Sequence, residues 1–222
     1  MLTEDFGRPP QWRYVTATDF AGPHGWVLGA ICALRQRSSG RTIATGWLIG
    51  PDMIATCAHG VIDSGGVDAL FPGAPVPVSI TNAYPLGNDG WDRRDASPRD
   101  ILILFTSAPV GRTALRVNGT GGRREVTLVG HPHAEGFEMV LGQGIAEPTS
   151  AHLPHSCDSD DAHSGGPVIA LLPGGDAEVL GLHVGGYGDS RAWIGASGVN
   201  LALSLAFGTY ARNVIEAARQ FP

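Results

Sequence analysis

The chain of 222 residues contains no lysine; all fifteen of its Lys/Arg positions are arginine. Chemistry that needs a lysine amine is therefore excluded, including Schiff bases, lysine-bearing phosphate loops and Ser–Lys hydrolytic pairs. Cysteine is scarce too. Cys32, Cys57 and Cys157 are an odd number at unrelated spacings, which is no disulfide framework and suits a reducing compartment. Charged residues make up only 16%, the net charge is −6, and no basic run exceeds two residues. Nucleic-acid and membrane-surface binding thus have no electrostatic footprint, and neither is expected as a partner. No segment approaches the roughly 18 consecutive apolar residues that cross a bilayer. The opening MLTEDFGRPPQWRYV has early acidic residues and no apolar stretch, so a secretory signal is not expected and a cytoplasmic location is.

What the chain has in quantity is apolar residues (43%), Gly (32) and Pro (16), without any internal repeat. That mixture predicts a packed all-β protein with many tight turns. Short apolar runs bounded by Gly, Pro, Asp or Asn predict strands near 25–35, 42–49, 52–56, 100–105, 125–130, 138–146, 166–172, 178–184 and 198–203. Residues 82–99 read as a long polar loop, and 106–122 as a connection between two strand-rich halves. Over 206–220 the apolar residues Phe207, Tyr210, Val214, Ala217 and Ala218 keep a helical period, which predicts a C-terminal amphipathic helix.

Three separated segments carry the chemistry. The first, TGWLIGPDMIATCAHGVID (45–63), runs through two apolar strands into Ala58-His59. The second, RDILILFTSAP (99–109), puts Asp100 immediately before an apolar strand, at a rim where a carboxylate can orient an imidazole; Asp92 and Asp95 in the preceding loop are reserve candidates. The third, CDSDDAHSGGPVIAL (157–171), surrounds Ser164 with small residues that permit a tight turn. A serine hydrolase needs a hydroxyl, a base, an acid that fixes the base, and N–H groups aimed at an oxyanion.

These segments resemble the TAAHC, DIALL and GDSGGP regions of chymotrypsin/trypsin-like serine peptidases. VLGLHVGGYG (179–188) and VTLVGHPH (126–133) resemble the V8, glutamyl-endopeptidase-like branch. The resemblance spans roughly residues 25 to 215. It implies two six-stranded antiparallel β-barrels: residues of about 20–110 form the N-terminal barrel and about 115–205 the C-terminal one. The helix over 206–220 completes a single peptidase unit, 1–222. It also implies a catalytic triad of His59, Asp100 and Ser164, an oxyanion hole made by the amides of Ala162 and Ser164, and a specificity pocket at Asp158, Ser159, His183, Gly185 and Gly186. The reaction implied is endopeptidase cleavage of a protein or peptide through an acyl-enzyme, with no cofactor and no metal.

Three departures from the family bear on this reading. Gly60 replaces the cysteine that follows the His in secreted members. Ala162 replaces the usual oxyanion-loop Gly, and its Cβ restricts the dihedrals there. His163 replaces the Asp that pairs with a newly cut N-terminus in zymogens. At the pocket, Asp158 favours a basic substrate side chain, whereas His183 favours an acidic one if Asp158, Asp160 and Asp161 raise its pKa. Both specificities stay open. The rival readings are a trypsin-fold binding module without catalysis, and a metal-binding protein using His152, His155, Cys157, Asp158, Asp160 and His163. His131 and His133 read as turn residues flanking Pro132, and Cys57 as a small buried hydrophobe. A regulatory protein or domain is expected to restrain the enzyme.

Overall fold

The computed structural model describes residues 13–15, 20, 22–85, 97–119, 122–131, 139–149, 151–159, 162–186 and 200–221. After a two-residue strand β1 (Arg13–Tyr14) and a one-turn helix α1 (Trp26–Gly29) come β2 (Ile31–Gln36), β3 (Thr42–Leu48), β4 (Met53–Thr56), β5 (Val67–Leu70), β6 (Val78–Tyr84) and β7 (Leu102–Thr106). They close into an antiparallel barrel in the order β2-β3-β4-β7-β6-β5. A short β8 (Arg116–Val117) leads to β9 (Arg124–Gly130), β10 (Val140–Ala146), β11 (His152–His155), β12 (Pro167–Leu171), β13 (Ala177–Gly186) and β14 (Asn200–Ser204). These run in the order β9-β10-β11-β14-β13-β12, and β12 pairs back onto β9, so a second six-stranded barrel closes. β1 adds to the outside of β10, and β8 pairs in parallel with β13.

The expected all-β, double-barrel architecture is thus present, and the polar-loop expectation for 82–99 is corrected at its start, where β6 runs through Tyr84. Residues 86–96 lie outside the described residues, as do Asp92 and Asp95. One apolar core links both barrels. It includes Trp47, Leu48, Ile54, Ile103 and Leu104 from the first, and Leu182, Leu203 and Leu205 from the second. Trp47 is fully buried, which removes a large ring from water and contributes on the order of 2–3 kcal/mol.

The closing helix α2 (Tyr210–Ala218) begins where Thr209 caps it, its hydroxyl accepting from the Arg212 N–H at 3.2 Å. Its buried face of Ala211, Val214, Ile215 and Ala218 packs on β7 of one barrel and β14 of the other. Arg219 reaches the Ile49 carbonyl and Arg212 the Val117 carbonyl, so the helix is tied to the first barrel and to the connection between the two. No helix among the described residues is long and apolar enough to cross a membrane.

Candidate active site

Strand register brings His59 and Asp100 together. Thr56 at the end of β4 faces Leu102 at the start of β7, so both chains leave the barrel side by side. His59 follows Thr56 by three residues, and Asp100 precedes Leu102 by two. The buried Asp100 carboxylate then grips His59 at two points: Oδ2 lies 2.6 Å from Nδ1, and Oδ1 accepts from the His59 main-chain N–H at 2.9 Å. One bond fixes the backbone and the other the ring. With the proton held on Nδ1, Nε2 is left as the basic nitrogen.

The His59 pKa is pushed up to about 11. The foremost cause is the Cys57 sulfur, 3.8 Å from Nε2, with further contributions from the hydrogen bond and charge of Asp100; burial acts in the other direction. The Cys57 contribution exists only to the extent that the thiol is ionised, whereas that of Asp100 does not depend on it.

Ser164 sits at the entrance to β12, where the second barrel meets the first. Its carbonyl accepts from the Thr45 N–H at 2.9 Å, and Gly166 N–H closes a turn onto the His163 carbonyl at 2.8 Å. Gly165 adopts φ +87, and a Cβ there would lie 2.3 Å from the Thr45 carbonyl oxygen and 2.9 Å from the Cys57 nitrogen. Both are main-chain atoms with nowhere to move, so the first glycine of Ser-Gly-Gly-Pro is required by space and by dihedral. The same contact sets the residue after Ser164 against the strand end that carries His59.

Ala162 has φ +66 and is the one non-glycine with positive φ among the described residues. The Cβ expected to restrict this position does not prevent the left-handed turn, whose cost for an L-residue is about 1–2 kcal/mol. Its carbonyl accepts from the Thr45 hydroxyl at 2.7 Å.

The pocket residues fall beside this loop. His183 follows Leu182, which faces Pro167, and it exchanges main-chain bonds with the Ser164 loop: Gly165 N–H to the His183 carbonyl at 2.7 Å, and His183 N–H to the Gly166 carbonyl at 2.8 Å. Gly185 has open space where a side chain would be, and Gly186 pairs with Asn200. Asp158 and Ser159 are half-buried, and a Cβ at Gly142 of β10 would lie 2.5 Å from the Asp158 carbonyl oxygen.

The expectation that carboxylates raise the His183 pKa is overturned. Burial, then the neighbouring His155, His163 and His59, hold it well below the usual range. The ring is sealed in the second barrel against His155, Nδ1 to Nε2 at 3.2 Å, and burial takes His155 itself down to about 3. Asp160 and Asp161 lie outside the described residues.

The metal-binding alternative finds no group of three His, Cys, Asp or Glu side chains converging among the described residues. Cys157 is buried, its thiol pushed up to about 12 chiefly by burial, and its sulfur donates to the Val126 carbonyl. His131 is not an exposed turn residue but is buried at the end of β9, while Pro132 and His133 lie outside the described residues. Cys57 is buried as expected, yet it lies against the His59 ring, which its sequence context did not suggest. Thr45 was missed; its one signal is a polar residue inside the apolar run Ala44-Thr45-Gly46-Trp47.

Neither a scan against protein-family models nor a comparison with curated proteins finds a match. Solved structures do match. A Glu endopeptidase superposes with a TM-score of 0.70 at 16% identity, over 96% of this chain and 98% of that one. The Rv3671c protease of M. tuberculosis matches at 0.63 and 18% identity in both states: the active form over 93% of this chain and 90% of its own, the inactive form over 96% and 98%. The chain therefore has the trypsin-like double-barrel fold that these peptidases share.

Proposed function

We propose that the protein is a serine endopeptidase in which Ser164 is the nucleophile, His59 the general base and Asp100 the residue that orients it. The observation that carries this reading is the two-point grip of Asp100 on His59 in a fold whose solved neighbours are peptidases. Ser164 attacks the scissile carbonyl as His59 Nε2 takes its proton; the imidazolium, stabilised by Asp100, returns that proton to the leaving amine. The amides of Ala162 and Ser164 donate to the oxyanion of the tetrahedral intermediate. Water, activated by the same imidazole, then releases the acyl-enzyme. The scheme needs no cofactor.

For the residue preceding the cleaved bond we favour a basic side chain. His183 is buried and neutral, its ring engaged by His155 and by the Leu201 backbone, so it brings no positive charge to a carboxylate, whereas the half-buried Asp158 can meet a substrate cation. Peptides with Arg, Glu or Leu at that position test the preference, and fastest cleavage after Glu would assign the pocket to His183 instead. The deciding experiment for the reaction is labelling by a fluorophosphonate probe together with ester hydrolysis. Both are expected in the wild type and absent in Ser164→Ala. Binding of a peptide by Ser164→Ala without any turnover in the wild type would favour the binding-module alternative. We further propose a cytoplasmic setting, on the motive of three buried, unbridged thiols, and restraint by a bound partner, on the motive of the altered residue His163 before Ser164; strong casein cleavage by the purified chain alone would speak against restraint.

A further inference from the structure

We infer that Thr45, a residue of the first barrel, is the positioning residue that holds the oxyanion loop of the second barrel in its working shape. The inference rests on the peptidase reading above for its kinetic consequence, but its structural basis is independent of it.

Thr45 is fully buried in β3, and its hydroxyl and main-chain N–H are both engaged across the junction of the barrels. Its hydroxyl donates to the Ala162 carbonyl at 2.7 Å and accepts the His131 N–H at 2.9 Å. Its main-chain N–H donates to the Ser164 carbonyl at 2.9 Å. Its carbonyl accepts the Thr56 hydroxyl at 2.8 Å, on the strand that leads to His59. The two loop bonds fall on the carbonyls of residues 162 and 164. Those peptide units bracket the one that bears the Ser164 N–H, so pinning both fixes the direction in which that amide points.

The pinned segment is also the strained one. Ala162 is left-handed without being glycine, and a free loop would relax toward negative φ. Rotation of that residue swings the two donors apart. The Thr45 hydroxyl counters it by anchoring the Ala162 carbonyl. There is no slack for a substitute contact: a Cβ at Gly130 would lie 2.9 Å from the Thr45 hydroxyl oxygen and 2.7 Å from the His163 ring. The side-chain methyl of a valine would fill the space of the hydroxyl but leave a buried carbonyl and a buried N–H unpaired.

The test compares wild type, Thr45→Val, Thr45→Ser, Ala162→Gly and the double variant Thr45→Val/Ala162→Gly, with folded fraction measured for each. Thr45→Val is expected to lose kcat by roughly 10- to 100-fold with KM within about twofold, because a misaimed oxyanion donor acts in the transition state alone. Thr45→Ser, which keeps the hydroxyl, restores most of kcat. Placing Gly at 162 removes the strain that the hydroxyl resists, so the valine substitution costs less in that background than in the wild type. Amide exchange across 162–166 rises in Thr45→Val and not in Thr45→Ser. If Thr45→Val does not fold, Thr45→Cys takes its place, and a kcat between those of wild type and Ser164→Ala with faster amide exchange supports the clamp. Unchanged kcat and exchange in the folded valine or cysteine variant, or equal loss in both backgrounds, overturns it. A wild type that fails to label with fluorophosphonate sinks the peptidase reading, and the exchange comparison then judges the clamp by itself.

Discussion

His59 and the pair His155–His183 carry the same imidazole on opposite sides of the barrel junction, and the protein treats them in opposite ways. His59 is a third exposed and bonded twice to a carboxylate, and its pKa is pushed up to about 11. His155 and His183 are sealed ring against ring; His155 falls to about 3 and His183 goes the same way. The lesson is that burial alone does not set the charge of a histidine. A part-exposed ring beside a sulfur and a carboxylate holds its proton, and a sealed ring beside another ring gives it up. Stability against pH should therefore bend in two directions. The neutral pair is lost to protonation as pH falls below about 6.5, where the unfolded chain binds protons that the folded one refuses. The protonated form of His59 stabilises the fold below about 6.5, and that contribution fades as pH rises toward 11.

Four substitutions probe this contrast. Asp100→Asn should reduce kcat/KM by about a thousandfold to ten-thousandfold, since the amide holds the ring in the wrong tautomer. It should also flatten the alkaline decline in stability; retention of more than a tenth of the activity would remove Asp100 from its role. His155→Leu should reduce the stability lost between pH 7 and pH 5 by about 2 kcal/mol, measured by urea unfolding at both pH values. An unchanged difference would mean that the pair is not the acid-sensitive element. Cys57→Ala should move the acid limb of the kcat/KM profile to lower pH, because the sulfur is the foremost cause of the raised His59 pKa. An unmoved limb would assign the rise to Asp100 alone. Ala162→Gly should change stability least, by within about 1 kcal/mol. Relief of the left-handed strain is there set against the greater freedom of glycine in the unfolded chain.

Much of the double barrel was legible because its inner strands are nearly uniform apolar runs with turn residues at both ends. β3, β4, β7, β9, β10, β12, β13 and β14 fall close to the predicted segments. β5 and β6 were not anticipated. Val67–Leu70 is only four residues long, and Val78–Tyr84 is half-exposed with Asn82 in its path, so neither gives a sustained pattern. β11 was read as part of a ligand cluster, since His152-Leu153-Pro154-His155 has neither β-branched residues nor a clean alternation. It is the strand that lets the second barrel close. At the site, the three segments were legible because their local shapes demand particular residues, Gly165 above all. The contacts of Thr45 and of His155 were not, because each joins residues far apart in sequence whose neighbours look ordinary. No periodicity marks a bond between positions 45 and 162.

Gly60 faces Ala44 so closely that an ideal Cβ on the glycine would stand 3.0 Å from the alanine methyl. Small side chains there let the two segments touch directly and take the place a covalent tie would otherwise fill. The rigidity of the chain around His59 thus comes from van der Waals contact and the Asp100 bonds, neither of which a thiol reagent can cleave. Turnover should be the same in millimolar dithiothreitol as without it.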